Sequence, residues 1–188
     1  MLTSKIINGS LKRKTIYLPD SKTTRPTSSA FKKIIFDVLM HRYYVNFSEC
    51  VVVDLFAGSG ALGLEAVSLG CRECHFVDKS QAAIDVLRRN ILSLGVSDRA
   101  YVYQCGYDKF LRGFNAARRT GRLIMLLDPP YADYRLIYDV VNAVIPRFSG
   151  QPMLFAIESN VDLDFGNIPC LSINKRAASG RFLTVVEV

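Results

Sequence analysis

Two clusters in this sequence have residue types and spacing suited to chemistry. The first is Asp128-Pro129-Pro130-Tyr131, directly after the apolar run 123–127, LIMLL. Two successive prolines forbid more strand or an immediate helix. The run therefore delivers a carboxylate and an aromatic ring to a fixed point, with a backbone carbonyl held beside the Asp128 carboxylate. Two such acceptors can hold both hydrogens of an exocyclic amine on a nucleobase. That amine is a poor nucleophile, because its lone pair is delocalised into the ring. The acceptors stabilise the positive charge that develops when it attacks. Tyr131 is placed to stack on the base, which must first leave its helix or stack to enter such a pocket. The bland alternative is a loop that happens to contain two prolines.

The second cluster is Asp54-Leu-Phe-Ala-Gly58-Ser-Gly60-Ala-Leu-Gly63. Glycines at this spacing, after a strand and before a helix, let the chain turn tightly and let a ligand approach the backbone. Asp78 ends the next apolar run, at the offset expected of a carboxylate that binds ribose hydroxyls. Asp54, at the end of the strand, suits a cationic group better than a pyrophosphate. S-adenosyl-L-methionine carries an ammonium and a sulfonium and no phosphate, so the pattern favours it over a nicotinamide dinucleotide. Phe56, inside the turn, and Lys79, beside Asp78, belong to the same candidate set.

Elements must bring these clusters together. Strands are expected at 50–56, 74–78, 100–105, 123–128 and 153–159, each a short apolar run. Helices are expected at 61–70, at 80–94 between a Ser80 cap and a Gly95 stop, over much of 107–120, and at 134–145, ended near Pro146. Residues 6–18 read as one or two short strands with a turn at Asn8-Gly9. Residues 19–26 read as loop. Thr27 or Ser28 would then cap a helix whose apolar face is Phe31, Ile34, Ile35, Val38 and Leu39. The C-terminal stretch reads as a hairpin around Ala178-Ser179-Gly180, adding antiparallel edge strands. Alternating strands and helices predict an α/β, Rossmann-like domain, with a mostly parallel seven-stranded sheet covered by helices on both faces. In such a sheet ligands bind beyond the carboxyl ends of the strands, which puts Asp54, Asp78 and Asp128 on one crevice.

Charge points to a partner. The net charge is +7. Residues 1–42 hold nine Lys and Arg against two Asp, whereas residues 43–188 are balanced. A basic segment on a neutral body fits a polyanion such as nucleic acid, and the division predicts a basic extension at 1–42 on a domain at 43–188. The first residues, MLTSKIINGSLKRK, are polar and basic, and apolar runs are far too short to span a bilayer. The expectation is a soluble, cytoplasmic protein, with no membrane partner and no requirement for a dimer. Five cysteines include Cys71-Arg-Glu-Cys74. With no second such pair and only His41 and His75 for company, structural thiols are expected and no metal site.

The motifs together are similar to the class I S-adenosylmethionine-dependent amino-methyltransferases. Thr24-Arg25-Pro26-Thr27 before an amphipathic helix, with DLFAGSGALGLEA at 54–66, resembles the RsmD family in particular. Those bacterial enzymes act on the N2 amine of a guanine in 16S rRNA of the small ribosomal subunit. The likeness extends from Ile6-Ile7-Asn8-Gly9 through Ile157-Glu158-Ser159. It implies that Asp54, Gly58 and Gly60 line the methionine end of the donor and that Asp78 holds the ribose. Gly106 and Tyr107 would border the adenine, and Asp128 to Tyr131 would hold the target guanine. Where the family carries a polar side chain this chain has Gly106, so Tyr107 or Asp108 would substitute. RNA contacts are implied for Arg25 and the basic segment, Lys12, Arg13 and Lys14. The family's arginine near the helix start is replaced by Ser28-Ser29-Ala30, which would shift contacts to Lys32 and Lys33. Rival readings are a DNA adenine-N6 methylase, which shares the Asp-Pro-Pro-Tyr motif, a glutamine methylase, a non-catalytic RNA-binding module on a methylase fold, and a nicotinamide-dependent oxidoreductase.

Overall fold

The structure is a computed structural model that describes residues 2–19, 27–115, 121–130, 134–178 and 180–188. Arg25 and Tyr131, both expected to act, lie outside the described residues.

Strands β3 (Cys50–Asp54), β4 (Glu73–Asp78), β5 (Ala100–Gln104), β6 (Arg122–Leu127), β7 (Met153–Ser159), β8 (Ser172–Ala178) and β9 (Arg181–Glu187) form one sheet in the order β5-β4-β3-β6-β7-β9-β8. Pairings from β5 to β7 are parallel, and β9 runs antiparallel to both β7 and β8. Alternation along the buried strands splits the core in two. Val52, Ile124, Leu126, Leu154 and Ala156 face one layer. Val51, Val53, Leu123, Met125, Phe155 and Ile157 face the other. This is the period-two pattern of a sheet covered on both sides.

Helices α1 (Ser29–His41), α2 (Gly63–Ser68) and α3 (Gln81–Leu94) cover the first face, and α4 (Tyr107–Gly113) and α5 (Arg135–Arg147) the second. Ser28 Oγ accepts from the Phe31 amide at 3.2 Å and Ser80 Oγ from the Ala83 amide at 3.3 Å. Gly95 takes the left-handed conformation that ends α3, at φ +70°. The last helix runs to Arg147, past its expected end, with exposed Pro146 inside its final turn, where only one intrahelical bond is lost.

Two expectations are refined. The C-terminal hairpin adds its antiparallel strands at one side of the sheet, but in the reverse of chain order: mostly buried β9 pairs with β7, and half-exposed β8 becomes the edge. The N-terminal segment pairs β1 (Thr3–Lys5) with β2 (Thr15–Tyr17), leaving residues 6–14 as a docked loop rather than strand. Residues on both sides of position 42 share a core layer. Ile6, Ile16 and the apolar face of α1 belong to the same core layer as Val52 and Leu64.

Candidate active site

The strand order reverses between β3 and β6, so a crevice opens where their carboxyl ends diverge. Asp54 is the last residue of β3, Asp78 the last of β4, and Asp128 the first after β6. The fold thus brings the three expected carboxylates to one edge.

They do different work there. Asp54 is 1% exposed, and its Oδ2 accepts from the Gly63 amide at 2.9 Å. This bond holds the turn at the start of α2. Burial pushes its carboxyl up to about 7, opposed by the Gly63 hydrogen bond. Half-buried Asp78 straddles the turn: Oδ2 accepts from the Gly58 amide at 2.8 Å and Oδ1 from the Ser80 amide at 2.8 Å. Gly58 and Gly60 take φ of +53° and +83°, which fits glycine. A Cβ added at Gly58 would meet nothing within 4 Å, so the turn presents bare backbone to open space. At Gly63 a Cβ would lie 2.3 Å from the Phe76 ring and 2.9 Å from Cys74 Sγ, so this glycine lets α2 press on β4.

Half-buried Phe56 and Tyr107 face each other with ring centroids 6.2 Å apart. They make an aromatic wall beyond β3, and Gly106 is the cap of α4. Asp108 is exposed and paired with Arg112 at 3.0 Å, which leaves Tyr107 better placed than Asp108 to border a ligand. Lys79 is exposed beside Asp78.

At Asp128, Oδ2 accepts from the Thr27 hydroxyl at 2.7 Å. Pro129 is buried and Pro130 exposed. Burial and the neighbouring Glu158 charge push the Asp128 carboxyl up to about 7, while Thr27 and Arg181 pull it back. Glu158 and Arg181 form a buried ion pair at the ends of β7 and β9. Neither was expected to act. The signal for Glu158 was available, since it is an acid at the carboxyl end of a buried strand, one residue before its last. Thr27 was expected only as a possible cap. Its bond to Asp128 joins positions 101 apart in sequence, which no local pattern reveals.

The basic segment needs one correction. Lys12, Arg13 and Lys14 are exposed on the loop between β1 and β2, and Lys33 is exposed and paired with Asp37. Lys32, expected to touch RNA, is fully buried. Its ammonium donates to Glu65 at 2.9 Å and to the Lys5 carbonyl at 2.7 Å. Among the described residues no group of three His, Cys, Asp or Glu could hold a metal ion. Cys71 and Cys74 are buried thiols, and Cys74 Sγ donates to the Gly63 carbonyl at 3.6 Å. No described helix is long and apolar enough to cross a membrane.

A seven-stranded sheet with one antiparallel strand let in beside its edge, and a glycine turn after the strand at the reversal, is the fold of a Rossmann-like class I methyltransferase. The chain belongs to the family described as Conserved hypothetical protein 95, which matches residues 4–183. It is 36% identical over 132 residues to YlbH of Bacillus subtilis, itself only provisionally assigned to rRNA methylation, covering 70% of this chain and 69% of that protein. It is 26% identical over 179 residues to ribosomal RNA small subunit methyltransferase D of Escherichia coli K12, covering 94% and 85%. A hypothetical protein of Thermus thermophilus superposes with a TM-score of 0.76 at 27% identity, over 98% of this chain and 99% of that one. The Escherichia coli protein yhhF shares the fold, with a TM-score of 0.78 at 23% identity over 99% and 98%.

Proposed function

We propose that this chain transfers a methyl group from S-adenosyl-L-methionine to the exocyclic N2 amine of a guanine in 16S rRNA of the small ribosomal subunit, acting as a single chain in the cytoplasm. The observation that carries the reading is Asp128: a half-buried carboxylate held by Thr27, followed by two prolines, at the same sheet edge as the glycine turn. The relatives named for small-subunit rRNA methylation support the substrate.

The donor fits the residues present. Gly58 offers bare backbone to open space, Asp78 would accept from ribose hydroxyls, and Phe56 with Tyr107, tilted 50° to one another, offers an aromatic corner. Bound there, the donor supplies an electrophilic methyl on a sulfonium. The protein's own work is on the other side of the crevice. With Oδ2 held by Thr27, the second oxygen of Asp128 and the Pro129 carbonyl take the two amine hydrogens. This aligns the nitrogen for in-line attack and stabilises the charge it gains. With the donor bound, the nitrogen would take the methyl as the S–C bond breaks to leave a neutral thioether, and the methylated amine would pass its proton to Asp128 or to water. No strong base is needed beforehand, because the nitrogen becomes acidic only once methylated. Tyr131 would stack on the flipped base. Lys12, Arg13, Lys14, Arg25 and Lys33 would grip the RNA backbone, which makes residues 1–42 the RNA-contacting part and 43–188 the donor-binding part.

Tritiated donor should label a guanine in unmodified 16S rRNA or in assembled small subunits. Label confined to DNA would make this a DNA methylase instead. Asp128→Ala should cost about a hundredfold or more in rate while donor affinity by calorimetry stays within a few-fold. Loss of donor binding alone would overturn the role given to Asp128.

A further inference from the structure

Two buried ionic groups beside Asp128 have no part in that scheme. The side chains of Glu158 and Arg181 are 0% and 8% exposed, and they pair with each other. Their strands are otherwise mostly apolar, with MLFAI leading up to Glu158 in β7 and Phe182, Leu183, Val185 and Val186 following Arg181 in β9. A buried ion pair is seldom a net stabiliser, because desolvation of both charges offsets their attraction. A pair of leucines would hold these strands together as well, so stability alone does not account for it.

Topology shows what the pair is near. The register couples Leu127 to Ile157, so the next residues, Asp128 and Glu158, emerge side by side from neighbouring strands. Because β9 runs the other way, its first residue comes to the edge where the parallel strands present their last ones. Ser159 pairs with Phe182, which puts Arg181 just beyond that edge, with its guanidinium returned onto Glu158. Asp128 is thus faced by Glu158 from β7, Arg181 from β9, Asp54 from β3 and the Thr27 hydroxyl ahead of α1. Among the described residues, three carboxylates share this corner with the Arg181 guanidinium.

We propose that the Glu158–Arg181 pair is a positioning device for Asp128, each partner preventing a different failure of the acceptor that holds the target amine. The proposal rests on the amine-methylation reading of Asp128. Arg181 neutralises Glu158. Without it, two adjacent carboxylates would share a proton, and Asp128 would bond to Glu158 instead of to the amine. Glu158 in turn occupies Arg181. Without it, the guanidinium would fork onto Asp128 and take the oxygen the amine needs. One loss leaves Asp128 too readily protonated, and the other leaves it ionised but blocked.

The two failures have opposite signatures. Carbon-detected NMR of carboxyl-labelled protein, with the Asp128 signal assigned from Asp128→Asn, reads the titration midpoint with no substrate present. Arg181→Gln should raise that midpoint by about one pH unit or more and Glu158→Gln should lower it, with Arg181→Lys staying near the wild type. In methyl transfer to unmodified small subunits, Arg181→Gln should move the acid limb of kcat/KM upward and recover rate at high pH. Glu158→Gln should lose roughly ten- to a hundredfold at every pH. Should Arg181→Gln fail to fold, the Glu158→Gln/Arg181→Gln double variant, which buries no charge at the pair, should titrate at or below the wild-type midpoint. Midpoints that move together, or do not move, or a rise in the double variant, would overturn the proposal. Wild-type protein that labels no RNA would instead sink the functional reading, and the NMR arm would still report on the pair.

Discussion

Lys32 shows how one residue can carry charge without offering it. It lies beside Lys33 in sequence, and the pair reads as a basic patch on the open side of α1. Helical spacing says otherwise. Residues 32, 36 and 39 fall on one stripe, and Phe36 and Leu39 are both fully buried. Lys32 follows them inward, where its ammonium meets Glu65. That carboxylate also accepts from the Ile7 amide at 3.0 Å and the Asn8 amide at 3.1 Å, so it ties the N-terminal loop to α2. Removing the cation leaves a buried carboxylate without its counter-charge. Lys32→Met should therefore cost about 3–5 kcal/mol in urea denaturation, and Glu65→Leu in addition should not restore it, because two amides would then lose their acceptor. Reduced RNA affinity at unchanged stability would instead return Lys32 to the RNA-contacting surface.

At the scale of elements, what the sequence made legible was what short-range chemistry determines. Ser28, Ser80 and Gly95 end their helices where their types predict, since a cap is a bond across three or four residues. The apolar runs became strands, and the acids at their ends reached one edge, because a parallel sheet covered by helices leaves no other place for them. The strand that entered the sheet was not legible. Both arms of a hairpin look alike until the sheet selects the more apolar one, and β9, with Phe182, Leu183, Val185 and Val186, qualifies where β8 carries Asn174, Lys175 and Arg176. The docking of β2 was equally hidden, because it depends on Asn90, 73 residues away. Fully buried Asn90 accepts from the Tyr17 amide at 2.8 Å and donates to the Tyr17 and Ser59 carbonyls, both at 2.9 Å. It fastens β2 to the glycine turn through α3. Asn90→Asp keeps the acceptor but sets a carboxylate against two carbonyls. It should destabilise by about 2–4 kcal/mol, speed hydrogen exchange at the Tyr17 amide and weaken donor binding several-fold in calorimetry. Faster exchange with donor affinity unchanged would show that Asn90 anchors the hairpin without shaping the turn.

Across the whole molecule, charge is segregated by purpose. Carboxylates collect at the carboxyl edge of the sheet, where burial and mutual repulsion raise Asp54 and Asp128 to about 7. The excess of cations lies in residues 1–42, and Lys12, Arg13 and Lys14 stand exposed together at one tip. That tip is no loose tail. Glu65, Ser68 and Asn90 hold its backbone to the two helices that follow the glycine turn and Asp78. A polyanion bound at the tip would thus be registered against the crevice rather than merely tethered near it. Binding of this kind releases counterions, so affinity should fall steeply with salt. Replacing Lys12, Arg13 and Lys14 together with Gln should weaken RNA binding at low salt and reduce the slope of log affinity against log salt by about 2–3. Donor affinity should not change, because the three side chains are exposed on a loop held to Glu65 and Ser68 of α2. Fluorescence anisotropy on an rRNA fragment between low and moderate salt measures both effects. An unchanged slope would make these three cations a solvated surface, and would move the RNA-contacting face elsewhere on the chain.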